Sequence, residues 1–120
     1  MTANVDRGNQ LWEKWSSFLT RVQLHQALEA ARADDRHEEA ARLEARLAEL
    51  PKVSSLEALQ ANADLMAMLT AQRWIAMRIA QAEGASLEQI GRQLGISRQS
   101  AWEFMKRRIE ANKEANKTER

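Results

Sequence analysis

Ser86-Leu-Glu-Gln-Ile-Gly-Arg-Gln-Leu-Gly-Ile-Ser-Arg-Gln-Ser-Ala-Trp-Glu-Phe-Met105 decides how this chain folds. Ser86 and Gln89 have the S-x-x-Q spacing of a capping box, which marks a helix start. Ile90 and Leu94 lie four apart, on one face of that helix. Gly95 reads as a left-handed C-terminal stop, a conformation that strains any residue with a Cβ. Ile96 is then expected to turn inward. Ser97 is a second N-cap, and Ala101, Phe104 and Met105 give the next helix an apolar stripe. Gly91 falls where the two helices must approach closely. The pattern is that of a helix-turn-helix.

Working outward, composition favours helices throughout. The 120 residues are 44% hydrophobic but only 5% aromatic, with one proline and four glycines, so an all-α chain with few breaks is expected. Cysteine is absent, which excludes disulfides and thiolate metal sites. No apolar run approaches the roughly 20 residues of a membrane span, and Met1–Gly8 lacks the apolar segment of a signal peptide. A cytoplasmic protein without membrane contact is the expectation.

A first helix is expected from about Gln10 to Arg32, with Leu11, Trp15, Phe18, Val22 and His25 at three-and-four spacing. Trp12, Leu19, Leu24 and Leu28 widen its apolar face. Ala33-Asp-Asp-Arg36 reads as a short turn with an aspartate N-cap. A second helix to about Leu50 carries the seam Ala40, Leu43, Leu47 and Leu50, and Pro51 ends it. Residues 1–53 thus read as a helical hairpin. Ser54 and Glu57 can cap a third helix of about 28 residues, with a kink expected near Asn62 to Asp64. Residues 54–69 form its connecting part. Residues 70–110 form a three-helix unit, whose first helix would contribute Trp74, Ile75 and Ile79. Residues 111–120 form a polar, fraying tail. The expected architecture is therefore all-α: a hairpin, a long connecting helix and a helix-turn-helix.

Charge is unevenly placed. Net charge is only +1, yet residues 29–49 hold seven acids against four bases, and residues 73–108 hold seven bases against three acids. Such asymmetry suggests one end that meets a polyanion.

The run Glu83–Phe104 resembles the helix-turn-helix segments of small bacterial DNA-binding proteins of the kind common in actinobacteria. It is more loosely similar to the promoter-reading helix-turn-helix of sigma factors. Ile90, Gly91, Leu94, Gly95, Ile96, Ser97, Arg98, Gln99, Ala101 and Trp102 carry the likeness, which spans about Thr70 to Arg108. It implies double-stranded DNA as partner and a regulatory role. Ala101 stands where many members have valine or isoleucine, so the core there is thinner and Trp74 is a candidate to fill it.

If the helix over 97–108 enters the major groove, Ser97, Arg98, Gln99 and Trp102 meet base edges. Arg98 has the fork for guanine O6 and N7, and Gln99 the amide for adenine N6 and N7. Trp102 can meet a thymine methyl or sugar, or equally pack back onto the preceding helix. Gln89, Arg92, Ser100, Lys106, Arg107 and Arg108 are the candidate phosphate contacts. Arg107 and Arg108 also fit an ordinary solvated face.

Helix-turn-helix units commonly read DNA as dimers, so a homodimer through the N-terminal hairpin is expected, with fold-back within one chain as the alternative. An architectural, partition or phage-packaging factor, and a helical adaptor that binds a protein through the hairpin, are the competing functions. Enzymatic activity, cofactor and metal find no support. His25 and His37 are isolated, and Arg36-His-Glu-Glu39 lacks the second histidine of a zinc-protease helix.

Overall fold

The computed structural model describes residues 2–118. Five helices make up its regular structure: α1 Thr2–Ala33, α2 His37–Glu49, α3 Ser55–Ala82, α4 Leu87–Leu94 and α5 Arg98–Thr118. No strand occurs among the described residues. The chain divides into two compact units that meet in sequence between Met68 and Leu69, so α3 contributes its first half to one and its second half to the other. Residues 111–118, expected as a frayed tail, continue α5; Glu119 and Arg120 lie outside the described residues.

In the first unit, Leu24, Leu28 and Ala31 of α1 are buried with Ala40 and Leu47 of α2, flanked by Leu43 and Leu50. This is the expected α2 seam. It meets the second half of α1, not the tryptophan-rich first half. Trp15 and Phe18 stack at 6.1 Å and are half-buried, while Trp12 is exposed.

Arg21 of α1 closes the far end of α2. Its Nη1 donates to the Leu47 carbonyl at 3.1 Å and to the Leu50 carbonyl at 3.4 Å. The last carbonyls of a helix have no partner within it and carry the negative end of its dipole, so a guanidinium there is doubly favourable. Leu50 is already extended, and Pro51 follows it.

The α1–α2 turn departs from expectation. Asp35 adopts φ 56°, and the Arg36 N–H reaches back to the Ala31 carbonyl at 2.8 Å, closing α1. Neither aspartate caps α2. The N-cap is Arg36, which makes no side-chain cap bond and whose guanidinium instead pairs with Asp34 and Glu39. The left-handed stop that ends α1 occupies the position a capping aspartate would need.

α1 begins about eight residues before its expected start. Gly8 lowers intrinsic helix propensity there, but it also brings α3 close: a Cβ at Gly8 would lie 3.4 Å from Met68 Sδ. Arg7 faces Asp64 at 3.9 Å, and Ala58 and Ala61 of α3 are buried. Tertiary packing thus extends α1 where local propensity would end it. The capping box Ser54–Glu57 is formed, with the Glu57 N–H to Ser54 Oγ at 3.1 Å. α3 then runs on without a break at Asn62–Asp64.

In the second unit, Met77, Ile90, Ala101 and Met105 form the core, with Ala80, Ala85, Leu87, Leu94 and Phe104 packed around them. Ile75 and Ile79, assigned to the first helix of this unit, are 46% and 51% exposed. Helical phase turns Met77 and Ala80 inward instead.

Replacing Arg21 by methionine, which keeps the aliphatic stem and removes the donors, should destabilise the first unit by about 1–2 kcal/mol. Urea denaturation followed by circular dichroism measures this; an unchanged midpoint would show that water serves those carbonyls equally well.

Candidate nucleic-acid interface

Three local devices set the corner between α4 and α5. The first is the Ser86 capping box. The Gln89 N–H donates to Ser86 Oγ at 3.1 Å, and the Ser86 N–H donates to Gln89 Oε1 at 2.8 Å. The second is Gly95, at φ 70°, ψ 27°, after which the Ile96 N–H donates to the Gly91 carbonyl at 2.9 Å. The third is Ser97, whose Oγ accepts the Ser100 N–H at 3.0 Å and opens α5.

Gly91 lets these devices coexist. It is buried, and a Cβ built on it would stand 2.8 Å from the Ile96 carbonyl oxygen and 3.1 Å from that of Ser97. Its role is therefore sharper than close helix approach: it admits the backbone of the turn itself. Ile96 does not turn inward as expected; its side chain is 36% exposed while its peptide group makes the contact. Ala101 has no exposed surface, and the methionines Met77 and Met105 fill the space around it; Trp74 lies outside that cluster, with Arg78 over its ring at 5.1 Å.

The corner presents the start of α5 to solvent. Gln99, Trp102 and Lys106 fall on one side of the helix at 100° per residue, away from Ala101 and Phe104, and Arg98 stands at the edge of that side, exposed in the first turn and seven residues before Met105. Trp102 is 44% exposed, and Lys106 Nζ sits 5.0 Å from its ring centroid. The tryptophan lines an open hollow of about 330 Å³ with Leu87, Arg98 and Gln99. It also lines a second hollow, of about 350 Å³, with Gln81, Met105, Lys106 and Ile109. Gln99 Nε2 donates to Glu103 Oε1 at 3.2 Å.

The other candidates are dispersed. Gln89 is exposed, but its carbonyl oxygen serves the cap, leaving its amide free to donate. Arg92 is exposed and paired with Glu88 at 3.3 Å, a surface pair that costs little to break. Ser97 and Ser100 bond each other through their hydroxyls at 3.0 Å. Arg107 is exposed on a different side of α5 from Arg98. Arg108 is half-buried and lies over the Phe104 ring at 5.8 Å, on the core side.

Charge follows the division into units. The second unit carries ten Lys and Arg against six Asp and Glu; the first carries eight against eleven. Among the described residues no cluster of His, Asp and Glu is arranged to hold a metal ion, and no helix is long and apolar enough to cross a membrane.

Comparison with protein-family models, with curated proteins and with solved structures finds no match to this chain. The site therefore stands on its own geometry.

Gly91→Ala should destabilise the second unit by about 1–3 kcal/mol, because the added methyl meets turn backbone that has no rotamer to yield. Thermal melts of the two proteins test this; equal melting temperatures would mean the turn relaxes freely.

Proposed function

We propose that this chain is a dimeric, sequence-specific double-stranded DNA-binding protein, a transcriptional regulator whose α5 enters the major groove. In this reading the end of α3, α4 and α5 form a three-helix helix-turn-helix unit, α1 and α2 form a hairpin, and α3 connects them. The observation that carries it is the exposed row Arg98–Gln99–Trp102–Lys106 at the capped start of α5. A helix of this type contacts base edges through its N-terminal residues.

The chemistry suits the task. Arg98 is exposed, and Gln99 is held only by an exposed bond to Glu103. Each can reach two acceptor or donor atoms of a base. Lys106 and Arg92 supply salt-sensitive attraction to phosphate. The net positive charge of the second unit favours the approach of a polyanion.

Selection from a random duplex pool, followed by gel shifts at several salt concentrations, tests the reading. One short inverted repeat is the expected product. Weak, sequence-blind and steeply salt-dependent binding would favour an architectural or packaging role instead. Absence of binding at low salt would remove both and leave an adaptor. On the selected site, Arg98→Ala and Gln99→Ala should each lose about 1–3 kcal/mol of discrimination at one base pair. Lys106→Ala should weaken all sequences alike and lower the salt slope by about one.

A further inference from the structure

The first unit leaves a large apolar surface uncovered. On α1, Val5, Trp12 and Leu19 are exposed, Trp12 by 55%. They are spaced by seven and lie within about 40° of one another around the helix. On α3, Leu59 is 58% and Met66 61% exposed, seven residues apart.

The two stripes share a side. Arg21 reaches the end of α2, just before α3 begins, whereas Arg7 and Gly8 meet Asp64 and Met68. α3 therefore runs antiparallel to α1. With Gly8 of α1 against α3, and the buried Ala58 and Ala61 marking the inner face of α3, helical phase puts Trp12 and Leu59 on the same side of the pair.

The surroundings of the stripes bear on what could cover them. In a chain with 29% charged residues, the positions beside these stripes are Asn9, Ser16 and Gln23 on α1 and Ser55, Asn62 and Thr70 on α3. None is charged. A lipid surface would call for flanking lysine or arginine, and a charged partner would call for the opposite sign. An uncharged rim around a heptad-spaced apolar seam suits a two-fold contact, in which the same patch meets itself without like-charge repulsion. The five exposed apolar side chains offer about 500 Å² per chain, and the uncharged rim around them extends the patch toward the roughly 800 Å² per partner of a standard interface.

We infer that the first unit binds a second copy of this chain through Val5, Trp12 and Leu19 of α1 and Leu59 and Met66 of α3, building a four-helix bundle from two α1–α3 pairs. The inference rests on the dimeric part of the proposed function and not on its DNA contacts. It moves the self-association surface from the α1–α2 hairpin to the α1–α3 side.

Sedimentation equilibrium of the full chain tests it. The wild type should have twice the chain mass at micromolar concentration. Trp12→Glu and Leu59→Glu, both at exposed positions, should each weaken association at least a hundredfold with unchanged helical circular dichroism. Ile79→Glu, an equally exposed apolar site in the second unit, should remain dimeric. A monomeric wild type, or two glutamate variants that stay dimeric, would overturn the inference. Arg98→Ala should stay dimeric whatever it does to DNA recognition, so the failure of one reading is separable from the failure of the other.

Discussion

The close approach of Gly91 to the peptide oxygens of Ile96 and Ser97 is the constraint on which the second unit depends. A turn this tight must put backbone against backbone, because any side chain at 91 would occupy the space of a carbonyl. Once the glycine admits the turn, the Ile96 N–H closes on the Gly91 carbonyl and Ser97 is set to cap α5. Ala101 then reaches the core with no exposed surface, and Arg98, Gln99 and Trp102 are left outside. One missing Cβ thus links local backbone geometry to the exposed chemistry of α5.

The same type of ending recurs at three helix ends. After α1, α3 and α4, an N–H bonds to a carbonyl five residues back: Arg36 to Ala31, Ala85 to Ala80 and Ile96 to Gly91. The residue between is left-handed each time, as Asp35, Gly84 and Gly95. Two of these were legible because glycine announces them. The aspartate was not, since the residue types that tolerate this conformation also cap helices. An aspartate between Ala33 and Arg36 therefore reads as a start, whereas Asp35 is a stop. Capping boxes at Ser54 and Ser86 were legible because both partners lie three residues apart, and both helices begin there.

Non-local packing was harder to read. Nothing in the spacing of Arg21 says that it meets carbonyls 26 and 29 residues away. Likewise, the apolar positions of α1 cover most of its circumference, so periodicity alone could not decide which face meets α2. The buried choice is Leu24, Leu28 and Ala31, and Trp12 is left out. In α3 the apolar surplus is again larger than one face can bury, which is why Ile75 and Ile79 are exposed while Met77 is enclosed. The candidate site was legible as a set of residue types, but not in its grouping: Arg108 belongs to the packing of Phe104, and Gln89 to its own cap.

These observations bear on why the proposed DNA reading and the proposed self-association need each other. Two bidentate readers, Arg98 and Gln99, would contribute roughly 2–6 kcal/mol of discrimination per chain at about 1–3 kcal/mol each. Specific sites in duplex DNA are separated from bulk sequence by about 4–10 kcal/mol. One copy reaches only the lower part of that range; two copies on an inverted repeat span it. The first unit, with eight bases against eleven acids, repels a phosphate backbone on balance. What it has is an uncharged apolar face, and the contribution such a face can make to DNA recognition is to bring a second α5 to the duplex.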